Sequence, residues 1–496
     1  MTEFSARTRA ANLAAMAERP LDVLVIGGGI VGAWVALAAS VIAYRVGLVE
    51  KADFASGTSG KTSRLIHGGL RYLQQFRLGV VREAAGERDA LLRIAPDLVT
   101  PLTFLLPVYR QRGPRRWQLR IGLWLYDAFS RDKVLPRRTW LSRDEALGHE
   151  PNLSGDGLVG GALYSDALTN DARLVLRVLL GAADAGALVA NYARVAELRR
   201  EAGRVCGAQV VDEETGNRHE LRAVVVVNAT GVWAADLQRE DRRLKLRPTK
   251  GIHLLVPRAR LGNAGAVVLP TDDHRVIFVL PWRDLALVGT TDTDYRQDRE
   301  RVEADSGDVE YLLRAVNAGF PGAHLTAKDV VSTYAGLRPL IDSGEARESD
   351  ISRGHEILVD PDGLVTVAGG KLTTARAMAE DVLARIAKLH PPPSRTAAEI
   401  VDTRTLDLSG GEPAMSDLRS AVVQAARHEM ALHVDDVLVR RLGLFHERSD
   451  HGLSLAADVM DVLGDEQHWD AGRRANELAR YRSMVTANER WREGHG

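Results

Sequence analysis

The first clear pattern in the chain is an uncharged stretch near the N-terminus. Its apolar run Val23–Ile26 is rich in β-branched residues, as expected of a parallel strand buried on both faces. Glycines 27–29 follow, and then an apolar segment, 31–43, with the composition of a buried helix. The stretch is long enough to span a membrane, but glycines inside a helix destabilise it by about 1 kcal/mol each. The pattern therefore favours a strand, a turn and a buried helix.

The glycines after this strand fit the G-x-G-x-x-G pattern of dinucleotide-binding turns. Gly27 permits the tight turn, Gly29 lets the backbone approach a pyrophosphate, and Gly32 lets the helix pack on the strand. A second strand, 45–49, ends in Glu50, eighteen residues after Gly32, where an acid binds a ribose hydroxyl. We interpret the segment as a dinucleotide site; the alternative is a glycine-rich turn without a ligand. The pattern does not separate NAD from FAD.

Three later segments favour FAD. Residues 54–63 form a small polar loop whose hydroxyls could line an extended cofactor, and 64–73 place two glycines beside His67, Arg71 and Tyr72, as if backbone lay close to a planar ligand. By itself, 64–73 fits an ordinary helix equally well. Segments 224–231 and 365–374 are apolar strands that end in Gly turns, the second leading into a helix whose N-terminus suits an anion. Strands so far apart are more typical of FAD oxidoreductases than of NAD dehydrogenases.

Composition narrows the class of protein further. The chain has 496 residues, enough for about two to four domains. Its 65 Lys and Arg balance 66 Asp and Glu, which argues against a nucleic-acid partner. The single cysteine, Cys206, excludes a disulfide framework and a thiolate-rich metal site. We expect no metal site, because the histidines form no H-E-x-x-H pattern, and no G-x-S-x-G nucleophile turn is present.

Several motifs together resemble the FAD-dependent glycerol-3-phosphate dehydrogenases, membrane-associated flavoproteins that pass electrons to quinone. Besides the glycine fingerprint, the resemblance rests on the following segments: Ser63–Leu73 (SRLIHGGLRYL), Tyr164–Asp166 with Asp171–Arg173, Lys250–His253, Gly289–Asp292, Tyr334–Leu340 and Gly369–Thr374. They occur in the family's order over roughly residues 20–490. One departure is the turn at 40–45, where the family usually has an Arg-Gly pair and this chain has no glycine.

The resemblance implies an α/β fold. An FAD-binding Rossmann-like domain would be interleaved with an antiparallel-sheet substrate domain and followed by a C-terminal α-helical cap. The expected boundaries are a polar tail at 1–19, an oxidoreductase domain at 20–390, a Pro-rich linker at 391–395 and a helical domain at 396–496. Within the oxidoreductase domain we assign about 20–79, 151–245 and 335–390 to FAD binding, and about 80–150 and 246–334 to the substrate domain.

The resemblance also implies the residues of the site. The cofactor-binding set is Gly27, Gly28, Gly29, Gly32, Glu50, Thr58, Ser59, Ser63, Arg64, Leu65, Val195, Thr230, Gly231, Gly370, Lys371, Leu372 and Thr373. The substrate-binding set is Arg71, Tyr72, Thr290, Arg338 and Lys371. A phosphate ester needs cations, preferably guanidinium groups, and Arg71, Arg338 and Lys371 would supply them.

The implied reaction is oxidation of sn-glycerol 3-phosphate to dihydroxyacetone phosphate, with hydride passing from C2 to flavin N5 and the electrons passing to quinone. We assign His67 as the catalytic base, because a histidine can take a proton near neutral pH; the alternative is a histidine that only hydrogen-bonds the backbone or the flavin rim. His253 is the reserve candidate. Arg338 would polarise the alcohol or hold the phosphate. An oxygen-dependent oxidase, or a related flavoenzyme acting on an amine or another hydroxy acid, remains an alternative.

Residues 110–126 mix cations with Trp, Leu and Tyr, a composition that suits either a surface on anionic lipid or an amphipathic helix packed on the substrate domain. We expect the first, because the resemblance implies an enzyme that is cytoplasmic and peripheral on the inner face of the cell membrane. The expected partners are glycerol 3-phosphate and a membrane quinone. A homodimer is left open.

Overall fold

The computed structural model describes residues 3–69, 77–110, 116–129, 135–273, 275–342, 354–393, 402–410 and 417–495. In chain order its strands are β1 (Leu21–Ile26), β2 (Val46–Val49), β3 (Leu65–Ile66), β4 (Val99–Tyr109), β5 (Thr139–Leu141), β6 (Leu158–Thr169), β7 (Leu188–Ala190), β8 (Ala193–Glu201), β9 (Arg204–Asp212), β10 (Arg218–Asn228), β11 (Thr249–Pro257), β12 (Ala266–Pro270), β13 (Val276–Trp282), β14 (Leu285–Gly289), β15 (Thr293–Asp294), β16 (Ser332–Arg338), β17 (His355–Val359) and β18 (Val365–Gly369). The main helices are α1 (Ala6–Glu18), α2 (Ile30–Val41), α3 (Leu78–Ile94), α4 (Arg116–Phe129), α5 (Arg143–His149), α6 (Asp171–Asp184), α7 (Arg258–Leu261), α8 (Ser306–Gly319), α9 (Ala375–Leu389), α10 (Leu418–His428), α11 (Leu444–Glu447), α12 (Ala456–Glu466) and α13 (Ala471–Glu489).

The first sheet has the strand order β17-β18-β10-β1-β2-β7, and the strands from β18 to β7 are parallel to one another. Helices α2, α6 and α9 cover one face, where Trp34, Leu179 and Met378 are buried with the strands. The predicted strand–turn–helix is confirmed, because the uncharged stretch divides into β1 and α2. None of the helices within the described ranges is both long and apolar enough to cross a bilayer.

The N-terminal segment is a helix, so the predicted polar tail at 1–19 is wrong. Ser5 caps α1 by accepting a hydrogen bond from the Thr8 N–H. Leu13 and Met16 are buried under the first sheet, and the buried Arg9 guanidinium pairs with Asp212. This helix is difficult to predict from the sequence because few of its residues are buried and one of them is an arginine. The charge of that arginine is compensated by a residue about two hundred positions away in the chain.

The second sheet has the order β15-β11-β14-β13-β12-β4-β6-β3, with β16 beside β11 and β5 beside β6. Strands β13 and β14 form an antiparallel hairpin within it. The sheet also contains β6 and β16, although β6 and residues 335–338 of β16 fall within the ranges predicted for FAD binding, so those ranges do not follow the division into two sheets. β6 pairs with β4 along almost its whole length, and β16 pairs with β11, so backbone hydrogen bonds place both strands here.

The turn at 40–45 closes without a glycine. Ala43 adopts the left-handed conformation, with φ of +67°, and its N–H donates to the Ser40 carbonyl. This is the conformation that glycine usually provides after a helix. The turn that departs from the family's sequence is therefore built by an exposed alanine.

The C-terminal part is helical where the structure describes it, as predicted, although the region 435–444 forms a π-helix, Asp436–Arg441, and then α11. The predicted linker lies outside the described residues beyond Pro393. Buried ion pairs tie this part to the first sheet. Arg173 binds both carboxylate oxygens of Glu429, at 2.7 and 2.8 Å. Arg441 contacts Asp53, and both side chains are at most 2% exposed. Removing one partner of such a buried pair destabilises the fold strongly, because the other charge is left buried without a counter-charge.

Candidate active site

A cavity of about 1710 Å³ opens at the carboxyl edge of the first sheet. Gly27 follows β1, Glu50 follows β2, Thr230 follows β10 and Gly370 follows β18, and all four line the cavity. The carboxyl ends of parallel strands meet at one edge, which explains why segments so far apart in sequence converge. The volume exceeds the about 300–1,000 Å³ of ordinary small-ligand pockets, so the space suits an extended ligand together with a second molecule.

The glycine fingerprint borders the cavity, and two of its glycines, Gly27 and Gly32, have no room for a side chain. Gly27 has φ of +113°, and a Cβ there would lie 2.6 Å from the Ala229 carbonyl oxygen. A Cβ on Gly32 would lie 1.9 Å from the Gly27 oxygen, so this glycine lets the helix approach the turn. The backbone is thereby open to a close-lying pyrophosphate.

Glu50 is held at the cavity edge by two backbone donors. The Gly28 N–H donates to one carboxylate oxygen at 2.6 Å and the Ala52 N–H to the other at 3.0 Å. Burial raises the pKa of the Glu50 carboxyl, and these two hydrogen bonds oppose the shift. The carboxyl group is fixed in an orientation suited to accept hydrogen bonds from ribose hydroxyls.

Most of the predicted cofactor-binding residues line this one cavity. They are Gly27, Gly29, Glu50, Thr58, Ser59, Ser63, Leu65, Val195, Thr230, Gly231, Gly370, Lys371, Leu372 and Thr373. Gly28 and Gly32 do not line it: the Gly28 N–H holds Glu50, and Gly32 lets the helix approach the turn. The Arg64 side chain is not part of the wall, because its guanidinium lies 3.9 Å from the centroid of the Trp282 ring. The guanidinium packs on the rings of Trp282 and Tyr334 instead.

A fixed guanidinium stands at the end of the cavity formed by the second sheet. Arg338 Nη1 donates to Asp292 Oδ1 at 3.0 Å, and Nη2 donates to Thr290 Oγ1 at 3.0 Å. A Cβ on Gly251 would lie 2.3 Å from Nη2, so this glycine leaves room for the arginine. Lys371 lines the same cavity. The structure thus brings three predicted substrate ligands, Thr290, Arg338 and Lys371, to one space. The other two, Arg71 and Tyr72, lie outside the described residues.

The predicted base, His67, also lines this cavity. Its backbone N–H donates to Thr373 Oγ1 at 3.1 Å. Thr373 belongs to the segment that follows β18 and carries Lys371. The predicted base and one of the predicted phosphate-binding cations are therefore linked through a single short segment.

The reserve candidate, His253, lies deeper in the wall and is 2% exposed. Its Nε2 is 2.8 Å from Ser63 Oγ, and its ring stacks on Tyr334 with centroids 4.7 Å apart. Gly289 stands opposite His253 on β14, where a Cβ would lie 2.3 Å from the imidazole. Burial, with help from the charges of Arg338 and Arg64, lowers the pKa of His253 well below its usual value. The ring is therefore neutral, and it does not add a cation to the site.

Sequence reasoning missed two residues at this end of the cavity. Arg275 Nη1 donates to the Asp292 carbonyl oxygen at 2.5 Å, and both residues line the cavity. Asp292 thus organises two arginines, Arg338 and Arg275. Asp292 could have been singled out, because it ends the Gly289–Asp292 motif. Arg275 gives no local signal: it precedes an ordinary strand and only the pairing of β13 with β14 brings it to the site.

The fold and the cavity define an oxidoreductase of the flavoprotein class. The family model for FAD dependent oxidoreductases matches residues 22–385, and the model for the C-terminal domain of alpha-glycerophosphate oxidase matches residues 378–474. The chain belongs to the FAD-dependent glycerol-3-phosphate dehydrogenase family.

Relatives with this name cover nearly the whole chain. Glycerol-3-phosphate dehydrogenase 2 of Mycobacterium tuberculosis is 36% identical over 94% of this chain and 88% of its own length. Aerobic glycerol-3-phosphate dehydrogenase of Staphylococcus aureus is 38% identical over 85% of this chain and 77% of its own. The structure of glycerol-3-phosphate dehydrogenase from Bacillus halodurans complexed with FAD is 29% identical, with a TM-score of 0.77, and covers 97% of this chain and 98% of that one.

The residues present fit an FAD. The side-chain-free turn at Gly27, the oriented Glu50 carboxyl and the hydroxyls of Thr58 and Ser59 form a cradle for a dinucleotide along the cavity. Thr58 Oγ1 donates to the Leu337 carbonyl at 2.7 Å, and the Ile30 N–H donates to Ser59 Oγ at 2.9 Å. These bonds fix the loop over the helix N-terminus, where a pyrophosphate binds in this fold.

Proposed function

We propose that this enzyme oxidises sn-glycerol 3-phosphate to dihydroxyacetone phosphate and passes the two electrons to a membrane quinone. The observation that carries the proposal is that Arg338, Lys371, Thr290 and His67 line the cavity that begins at the glycine fingerprint. Two cations, a hydroxyl and a proton acceptor are the groups that a phosphorylated alcohol requires next to a redox cofactor.

Arg338 and Lys371 bind the phosphate group in this proposal. Arg338 can present a planar pair of donors to two phosphate oxygens, and Lys371 adds a compact positive charge. Asp292 and Thr290 restrain the guanidinium before the substrate arrives, which lowers the entropy lost on binding. Arg71 and Tyr72 stay predicted ligands of the same phosphate.

His67 takes the proton of the C2 hydroxyl. Oxidation of a secondary alcohol removes a hydride from carbon and a proton from oxygen, and the bound FAD supplies the hydride acceptor. The anchoring of the His67 N–H to Thr373 fixes the loop that presents the imidazole. His253 is the second candidate, because its Nε2 contacts Ser63 at the cavity wall.

Anaerobic mixing tests the substrate. Adding glycerol 3-phosphate to the FAD-loaded enzyme should bleach the visible absorbance of the flavin within one turnover. Glycerol, glycine and lactate, which lack the phosphate, should reduce it far more slowly. A flavin that stays oxidised with glycerol 3-phosphate, or that is reduced equally fast by glycine, would place the enzyme among the amine or hydroxy-acid oxidoreductases.

A second measurement distinguishes quinone from oxygen as the electron acceptor. With glycerol 3-phosphate in excess, a soluble quinone should sustain turnover under nitrogen. In air without quinone, turnover should be slow and yield little hydrogen peroxide. Fast turnover in air with one peroxide per substrate oxidised would identify an oxidase instead.

We also propose peripheral attachment to a lipid surface through α4. This helix buries Leu123 and Tyr126 and exposes Arg120, Ile121 and Trp124 on the other side, Trp124 at 56%. An exposed tryptophan beside a cation suits the interface of an anionic bilayer.

Trp124→Glu should weaken binding to anionic vesicles at least about tenfold, since a carboxylate replaces an aromatic ring at the interface. Co-sedimentation measures the binding, and flavin reduction by glycerol 3-phosphate should be unaltered, because Trp124 does not line the cavity. Leu453→Glu, at an apolar residue 38% exposed in the C-terminal part, is the matched control and should bind as the wild type does. Equal binding by all three proteins would show that α4 is not the contact.

A further inference from the structure

The loop that carries His67 is held from behind by buried polar groups to which the proposed reaction gives no role. The Gly68 N–H donates to Tyr126 Oη at 2.8 Å and lies 3.2 Å from Asp166 Oδ1. The Tyr126 hydroxyl in turn donates to Asp166 Oδ1 at 2.6 Å. Gly68 directly follows His67, so Tyr126 and Asp166 fix the peptide group on which the imidazole is carried.

These groups are buried, and the Arg88 guanidinium pairs there with two carboxylates, those of Asp166 and Asp89. Arg88 Nη1 donates to Asp166 Oδ1 at 2.8 Å, and Arg88, Tyr126 and Asp166 are each at most 3% exposed. Burial raises the pKa of Tyr126 well above its usual value, so the hydroxyl keeps its proton and stays a donor. A buried network whose members are all bonded is rigid, because breaking one bond leaves a polar group without water.

The same contacts explain why the residue after His67 is a glycine. A Cβ on Gly68 would lie 2.6 Å from Tyr126 Oη, inside the space that the hydroxyl occupies. On its other side, the His67 N–H is bonded to Thr373 Oγ1. The base is thus held between two anchors, the segment after β18 and the helix α4, which come from different parts of the fold.

We propose that Tyr126, oriented by Asp166 and Arg88, is a positioning residue for His67. Its hydroxyl sets the orientation of the peptide between residues 67 and 68 and so places the imidazole against the substrate hydroxyl. This inference rests on the proposed function, in which His67 accepts the proton. Tyr126 does not line the cavity and has no contact with substrate or cofactor in this role.

Tyr126→Phe in the FAD-loaded enzyme tests the proposal. The variant removes one hydroxyl and leaves the ring that packs with Leu123 and Tyr164 in place. We expect the rate of flavin reduction to fall about 10–100-fold, as for a misplaced catalytic group, with the KM for glycerol 3-phosphate changed less than about twofold and the FAD content unchanged. Tyr481→Phe is the matched control: that buried hydroxyl donates to the His451 carbonyl in the C-terminal part, and its loss should leave the rate unaltered.

A double-mutant cycle separates positioning from general destabilisation. If Tyr126 acts through His67, Tyr126→Phe should slow the His67→Asn enzyme by less than about twofold, because effects of groups that act as a unit are not additive. Gly68→Ala, which displaces the hydroxyl while keeping the tyrosine, should reproduce the loss. If Tyr126→Phe does not retain FAD, Gly68→Ala in the same cycle decides the question.

The outcomes are distinct. A rate within twofold of the wild type in Tyr126→Phe, or a full additional loss on top of His67→Asn, overturns the positioning role. A wild-type enzyme whose flavin glycerol 3-phosphate does not reduce overturns the proposed function itself. A His67→Asn enzyme with normal rates removes His67 as the base, and with it the positioning role of Tyr126, but leaves the substrate assignment in place. Both are measured before the cycle is built.

Discussion

Replacing His67 with asparagine is expected to lower the rate of flavin reduction by glycerol 3-phosphate about 10²–10⁴-fold. Asparagine keeps a polar side chain but cannot accept the hydroxyl proton at neutral pH. The backbone bond from residue 67 to Thr373 does not involve the side chain, so the loop should stay in place and FAD should remain bound. Stopped-flow absorbance under nitrogen measures the step directly.

The pH dependence of the same step gives a second check on His67. In the wild type the rate should fall in acid as the imidazole takes up a proton and loses its capacity as a base. In His67→Asn this acid limb should be absent and the residual rate flat. His219→Asn, on the outer hairpin formed by β9 and β10, should keep both the rate and the profile of the wild type. A greater loss from His253→Asn than from His67→Asn would transfer the role of base to His253.

The carboxyl edge of the first sheet is the part of the site that could be predicted from sequence. Each of its turns is encoded locally, by an apolar strand followed by glycine or a small polar residue, and Gly27, Thr230 and Gly370 all belong to such turns. Parallel strands share an edge whatever lies between them in the chain. Local signals and one topological rule were therefore sufficient to bring these turns to one edge of the cavity.

The substrate half could not be predicted in the same way, because it depends on register between strands. His253 fits only because a glycine, Gly289, stands opposite it on β14. Arg338 pairs with Thr249 across the strands, and its guanidinium fits only because the residue two positions further along β11, Gly251, has no side chain. No periodicity in a single strand reveals such a match. Thr290 and Arg338 were identified through the family resemblance rather than through spacing.

Two further differences between the prediction from sequence and the structure also arise from contacts between distant parts of the chain. β6 lies in a range that the prediction gave to FAD binding, yet its pairing with β4 places it in the second sheet. The N-terminal helix was missed because its buried arginine, Arg9, is compensated by the distant Asp212. In both cases the structure depends on pairing between residues far apart in the chain, and the local sequence pattern does not predict that pairing.

Arg338→Ala is expected to lower kcat/KM for glycerol 3-phosphate about 10²–10⁴-fold, since it removes two charge-assisted hydrogen bonds worth about 1.5–3 kcal/mol each. Most of the loss should be in KM. Asp292 also loses this ion pair and then repels the phosphate. Arg338→Lys should recover only part of the activity, because one ammonium cannot replace the two directions of a guanidinium that contacts both Asp292 and Thr290.

Glycerol as a second substrate separates the two roles open to Arg338. If the guanidinium holds the phosphate, Arg338→Ala should leave the slow reaction with glycerol unchanged, so that the preference for the phosphorylated substrate collapses. If it polarises the alcohol, both substrates should slow by the same factor, and the phosphate assignment is wrong. Arg427→Ala removes an arginine that pairs with Glu466 on the surface of the C-terminal helices and should change neither rate. Added guanidinium ion should restore phosphate-dependent turnover to the alanine variant alone, because only there does the cavity keep a guanidinium-shaped space beside Asp292.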